Sequence, residues 1–334
     1  MFRIGLMGCG SVADFGHVPA ILSTPGLELV ALFDPSQPHL QALGDKYGIA
    51  GRFDDAEQFF AQKLDAVIIS SPPFVHLENA LLAFKHGCDV LCEKPLASTE
   101  EEAREMEAAA VKAGRKLYTA FVYRFSPVAQ QIREWVHART VGEIKALRLI
   151  YDWGLHGQYM QDSAGKWVES PLWHGRMIEG GPMVDCGVHQ IDLARWWLGS
   201  DVKTWQSAGA WVSNYEAPDH VYVHLRHESG ALTTVETSFT YDHTAREPVS
   251  IFTYDLIGTG GTLHYNRDGY ILEARTGEGT IRVPGASEKN FPGMWSAFQH
   301  ALETGDPGDL ASPDDGIRAT AIANEATASA IAQS

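Results

Sequence analysis

Phe2-Arg3-Ile4-Gly5-Leu6-Met7-Gly8-Cys9-Gly10-Ser11-Val12-Ala13 opens the chain, and its reading decides the fold of the first half. The apolar run Phe2 to Met7 reads as a strand, and the glycine-rich stretch behind it opens a helical segment with Pro19 a few residues inside. Gly8, Gly10 and Ala13 fall in the pattern GxGxxA. In that pattern the first glycine makes a tight turn and the second lets the backbone approach a pyrophosphate. The small third residue packs helix on strand, and the helix N-terminus, here at Ser11 and Val12, receives negative charge. A second apolar run, Leu27 to Phe33, ends at Asp34. That carboxylate lies about 20 residues past the motif, where it can hydrogen-bond adenosine ribose hydroxyls. Asp34 would repel a 2′-phosphate and no arginine follows it directly, which favours NAD over NADP.

Further runs at Asp65 to Ile69, Asp89 to Cys92 and Leu117 to Phe121 alternate with stretches of helical spacing, such as Leu77, Leu81, Leu82 and Phe84. Short apolar strands separated by helices describe an α/β parallel sheet covered on both faces. From about Gly142 the pattern changes. Val221 to Arg226 alternates with period two, Ser229-Gly230 marks a turn, and Leu232 to Tyr241, Ile251 to Ile257, Thr262 to Tyr265 and Tyr270 to Arg275 continue as strands. We expect an α+β second domain with a large, mostly antiparallel sheet, interrupted by a helix around Gly187 to Leu198. The Ala-rich stretch from about 313 to 333 reads as a helix that packs back on the first domain. Domain boundaries of 1–122 and 123–334 follow.

The 334 residues suit two domains. Lys+Arg 26 against Asp+Glu 42 leaves a net charge of -16, which repels phosphate backbones and anionic lipid and argues against nucleic-acid or membrane partners. No long apolar span or basic leader is legible, so a cytoplasmic location is expected. Four cysteines are too few for a disulfide framework. Cys88 and Cys92 have no second Cys/His pair to complete a zinc site, so no metal is expected.

Ser70-Ser71-Pro72-Pro73, His76, and Gly87 through Glu93-Lys94-Pro95-Leu96 form one further segment, and Gly180-Gly181-Pro182-Met183-Val184-Asp185-Cys186-Gly187-Val188-His189-Gln190-Ile191-Asp192-Leu193 another. Together with the glycine motif they resemble the glucose–fructose oxidoreductase / inositol dehydrogenase / MocA family, from residue 2 to about 330. The resemblance implies an N-terminal Rossmann domain, a nicotinamide close to Lys94, a cis Lys94–Pro95 peptide, and an open sheet face that forms a homodimer or homotetramer. Pro182 departs from the family pattern, standing where a third glycine is usual.

Asp185 and His189, four apart at a helix start, share one face, and a carboxylate one turn before an imidazole suits it to general-base work. Read by spacing, the same two residues equally make an N-cap and a buried histidine. Lys94, at the end of a strand, is placed to stabilise an alkoxide. Ser71, Pro72 and His76 are expected to line the cofactor groove, and Arg124 either faces it or makes a structural salt bridge. Glu93 either touches the cofactor ribose or pairs with Lys94. Trp153, His156, Trp173, His174 and Arg176 are candidate substrate contacts, since aromatic faces stack on sugar C–H surfaces; the aromatics serve equally well as core. The expected activity is NAD-dependent hydride transfer between nicotinamide C4 and a secondary hydroxyl or ketone of a sugar, inositol or related polyol. The alternatives are an NADPH-favouring sugar reductase, a glycosidase with retained NAD, and a non-enzymatic cofactor-sensing regulator.

Overall fold

The computed structural model describes residues 1–155, 157–170, 177, 180–286 and 288–334. The chain divides into two compact units: Met1–Phe125 with Lys289–Thr320, and Ser126–Glu288 with Ala321–Ser334.

In the first unit, six strands lie in the order β3-β2-β1-β4-β5-β6, all parallel. They are β1 (Phe2–Met7), β2 (Leu27–Phe33), β3 (Arg52–Phe53), β4 (Ala66–Ile69), β5 (Asp89–Cys92) and β6 (Leu117–Thr119). The order reverses between β1 and β4, so the carboxyl ends of these two strands and their neighbours flank a crevice of the kind that binds dinucleotides. Strand residues alternate between two apolar layers. Ile4, Leu6, Ala66, Ile68 and Leu91 enter one, while Met7, Val67, Ile69, Val90 and Cys92 enter the other. Helices α4 (His76–Lys85) and α5 (Glu100–Ala113) contribute Ala80, Phe84, Ala103 and Met106 to the second layer. The first layer receives Phe291, Met294, Trp295 and Phe298 from helix α8 (Phe291–Thr304). Residues 289–320 therefore rejoin the first unit because their apolar face completes its core, an excursion that a single boundary near residue 122 does not describe.

The second unit holds an eight-stranded sheet in the order β10-β11-β12-β7-β13-β14-β15-β16. Its strands are β7 (Ile144–Asp152), β10 (Val202–Ala210), β11 (His220–His227), β12 (Leu232–Ser238), β13 (Ile251–Gly258), β14 (Gly261–Asn266), β15 (Ile271–Thr276) and β16 (Gly279–Pro284). Every pairing is antiparallel except that of β12 with β7. One face is apolar, with Val221, Val223, Leu225, Leu149, Tyr254 and Leu256 buried. Helices α6 (Pro127–His137) and α7 (Val188–Leu198) belong to that side: Trp197 meets Tyr254 edge-on at 5.1 Å and donates its indole N–H to Ala129 O at 2.9 Å. Neighbouring Trp196 lies under the Arg133 guanidinium instead. The opposite face is polar, and its charges pair across strands, as in Arg148 with Asp255 and His264 with Asp255. There, burial and then the nearby Glu236 push the Asp152 carboxyl up to about 8. Helix α9 (Pro313–Ala332) begins in the first unit, where Ile317 enters the core, and ends in the second, where Ser207 Oγ donates to Ala326 O.

Trp197→Ala should cost about 3–5 kcal/mol, because it opens a large cavity and removes the donor to Ala129 O. Urea unfolding followed by far-UV circular dichroism checks this, with Trp197→Phe expected to recover most of the loss.

Candidate active site

Two turns meet at the carboxyl end of the parallel sheet. Gly8 has φ +99, and a Cβ there would lie 2.4 Å from Ser71 N, so only glycine lets the β1 turn pack on the β4 turn. Ser70 Oγ closes the same contact by donating to Gly8 O at 2.8 Å. Nothing lies within 4 Å of where a Cβ would stand on Gly10. The second glycine thus presents open backbone at the start of the helix over 11–23, whose residues Ala13–His17 form a wider π-type turn. Asp34, at the end of β2, accepts from Cys9 N and Ser36 N, each at 2.8 Å. An open cradle at a helix N-terminus with a held carboxylate beside it fits a dinucleotide, with Gly8, Gly10, Ser11 and Val12 toward the phosphates and Asp34 toward a ribose. The Cys9 thiol, pushed up to about 12 by burial and by Asp34, stays protonated and packs as an apolar group.

Glu93-Lys94-Pro95 follows β5, and the Lys94–Pro95 peptide is cis. Glu93 is buried and its partners are specific. Trp295 Nε1 donates to His17 Nδ1 at 3.2 Å, which leaves the proton on Nε2 to be donated to Glu93 Oε1 at 2.9 Å. Glu93 Oε2 in turn accepts from Lys94 N at 3.1 Å. Burial raises the Glu93 carboxyl, but the His17 hydrogen bond and the charges of Lys94 and Lys289 outweigh it and hold the pKa below the ordinary value. This chain settles which way Glu93 faces: it braces the Lys94 turn. Neither His17 nor Trp295 is marked by the sequence patterns, since they stand 76 and 202 residues from Glu93 and one of them sits inside an ordinary amphipathic helix.

His76 is fully buried, with Nε2 2.8 Å from Ser71 O and Nδ1 3.1 Å from Pro95 O. Burial lowers its pKa against the raising effect of these backbone carbonyls, and the ring lies between the Ser71 turn and the Lys94 turn. Ser71 Oγ accepts from Asn79 Nδ2 at 3.0 Å, and Pro72 is exposed beside it. Arg124 is buried and ion-paired with Asp315 at 3.1 Å, a structural salt bridge.

In the second unit, Asp185 sits in a second π-type turn, Met183–Gly187, that runs directly into α7, where His189 follows one turn later and is buried. The wider turn is a recurrent feature of functional helices. Gly180 and Gly181 have φ +104 and +74, and Pro182 at φ -64 takes the first position of the turn, a conformation its ring favours. A Cβ on Gly187 would meet Met183 Sδ at 2.2 Å, so a larger residue there requires the Met183 side chain to shift. Trp153 stacks on Tyr151 and meets Phe239 edge-on, in a cluster that also contains Cys186, beside Asp185. Its Nε1 is buried with no hydrogen-bond partner among the described residues. His156, Trp173, His174 and Arg176 lie outside the described residues.

Two outcomes follow for the Glu93 chain. His17→Ala should cost about 3–5 kcal/mol, because it strands a buried carboxylate, as judged by urea midpoint. Because the folded pKa of Glu93 lies below its unfolded value near ~4.3, its stabilising contribution is whole above that pH and is lost as pH falls through the folded value. Glu93→Gln should flatten the acid limb of a melting-temperature profile.

Residues 2–121 match the model of an oxidoreductase family with an NAD-binding Rossmann fold, and residues 129–264 match the GFO/IDH/MocA C-terminal domain. D-glucoside 3-dehydrogenase of Escherichia coli (strain K12) is 33% identical over 261 residues, spanning 71% of this chain and 70% of that protein. The 1,5-anhydro-D-fructose reductase of Ensifer adhaerens is 28% identical over 95% of this chain and 92% of its own length. The scyllo-inositol 2-dehydrogenase (NAD(+)) of Bacillus subtilis (strain 168) is 26% identical over 78% of this chain and 72% of its own length. Among solved structures, an oxidoreductase from Agrobacterium radiobacter in complex with NAD+, L-tartaric acid and magnesium superposes with a TM-score of 0.83 at 23% identity, covering 100% of this chain and 97% of that one, a likeness of fold. Among the described residues no helix is long and apolar enough to cross a membrane. With both family models and a relative at this identity matching, the chain is a member of the glucose–fructose oxidoreductase / inositol dehydrogenase / MocA family of NAD-binding oxidoreductases.

Proposed function

We propose that this oxidoreductase uses NAD to oxidise a secondary hydroxyl of a sugar, inositol or related polyol, or runs the same reaction in reverse. The observation that carries the reading is the Lys94 turn, braced by Glu93 and His76 at the carboxyl end of the parallel sheet. A lysine on a turn held in this way is suited to stabilise negative charge that develops beside it. When bound, the nicotinamide supplies or accepts the hydride at C4. Lys94 stabilises the alkoxide that forms as the hydroxyl proton leaves, and His189 takes that proton while Asp185, one turn before it, favours the charged imidazolium. Lys94 thereby supplies the positive charge for which other dehydrogenases use a metal ion. Trp153, packed in the cluster beside the Asp185 turn, offers an aromatic surface to the sugar.

The preference for NAD rests on Asp34, a buried carboxylate that repels a 2′-phosphate and accepts ribose hydroxyls. The relatives named for a glucoside, an anhydrofructose and an inositol support the substrate class. The buried thiols of Cys9, Cys88 and Cys92 suit a reducing cytoplasm. Tyr222, Leu232, Ile257 and Ile271 are exposed apolar groups on the sheet and suit a homodimer or homotetramer contact.

NADH formation across a panel of glycosides, sugar acids and inositols tests the reading. Lys94→Ala and His189→Ala should each lower kcat/KM by about 10²–10⁴ while NAD still binds. Bound NAD that is never consumed, with no turnover on any panel member, would overturn the dehydrogenase in favour of a retained-cofactor glycosidase or a cofactor sensor. Asp34→Ser should narrow the NAD-to-NADP preference, read as the ratio of the two kcat/KM values.

A further inference from the structure

On the polar face of the second unit's sheet, three neighbouring strands bring together residues that the sequence keeps far apart. Asp152 ends β7, Glu236 lies on β12 and His220 begins β11. The ladder pairs Asp152 with Ser238 and Ser238 with His220, while Glu236 stands two residues back on the same face, so the side chains converge at one end of the sheet. One potential ligand atom from each lies within 4.8 Å of the other two. His220 Nε2 is 3.3 Å from Glu236 Oε1. Ligands held about 2.0–2.1 Å from a tetrahedral ion lie at about that distance from one another.

Two further observations point to a missing cation. Asp152 is 2% exposed, and its Oδ1 has no hydrogen-bond partner among the described residues. An orphaned carboxylate oxygen is costly to bury, and it sits against a second carboxylate. The other acids of this face are neutralised by guanidinium groups: Asp255 has Arg148, and Glu273 has Arg275 and Arg282. Among the described residues, the Asp152–Glu236 pair has only the His220 imidazole in salt-bridge reach. The imidazole is itself oriented, since Tyr222 stacks on it with ring centroids 4.9 Å apart.

We infer that Asp152, His220 and Glu236 form a divalent-cation site of the zinc class that clamps β7, β12 and β11 on the outer face of the sheet. One imidazole with two carboxylates is a donor set for zinc rather than for calcium or magnesium, which prefer all-oxygen shells. Three protein ligands leave a fourth position for water. The site shares no residue with the proposed catalytic set, so the inference stands or falls separately from the dehydrogenase reading.

Chelator-treated full-length protein titrated with cobalt chloride tests it. The expected result is one equivalent of cobalt with the intense visible absorption of a four-coordinate centre, displaced by zinc chloride, and a rise in melting temperature with zinc. Asp152→Asn, Glu236→Gln and His220→Gln should each lose the absorption and the melting shift. His220 is only partly buried, so its variant keeps the fold and remains informative even if the Asp152 variant does not. A wild-type titration without the visible band would overturn the inference. So would equal zinc binding by wild type and His220→Gln, since that pattern belongs to scattered surface histidines.

Discussion

A buried carboxylate must be answered by charge or hydrogen bonds, and much of the first unit is arranged around that requirement at Glu93. Leaving such a group alone in a low-dielectric interior costs several kcal/mol, so its neighbours are constrained in kind and in position. His17 reaches it from the helix that the glycine turn starts, and Trp295 sets the tautomer of His17 from α8. The Lys94 backbone N–H completes the carboxylate. One interaction therefore ties the phosphate turn, the end of β5 and the returning C-terminal segment into a single frame. The same frame holds the lysine on which the proposed chemistry depends.

Within each unit the turns are fixed by steric exclusion as much as by attraction. Gly8 is needed because Ser71 backbone fills the space that its Cβ would take, whereas a Cβ on Gly187 would displace the Met183 side chain in the Asp185 turn. Both candidate helices start with a π-type turn. In each, close approach and a widened helix place polar groups at the strand ends, where they can meet a ligand, while the apolar layers keep the strands in register.

Much of this was legible along the chain. The runs at Leu27 to Phe33 and Asp89 to Cys92 coincide with β2 and β5, since strands buried on both faces are continuously apolar. β3 escapes notice because two residues carry no periodicity, and β10 and β16 because they are edge strands with few apolar side chains to alternate. The glycine motif and the Asp185–His189 pair are readable for the same reason as the strands, as their spacing lies within one or two turns of backbone. The return of residues 289–320 to the first unit is not readable, because an amphipathic helix does not say which core it completes.

Sequence alone established the parallel and antiparallel sheets, the dinucleotide turn, the family and the residue types available for proton and hydride chemistry. All of these are written in local spacing, which the chain carries whether folded or not. Only the tertiary structure decided which polar groups meet: His17 with Glu93, Arg124 with Asp315, and Asp152 with Glu236 and His220. Those partners are tens to hundreds of residues apart, and they meet through strand order and register, because burying a charge becomes affordable only where the fold delivers its counterpart.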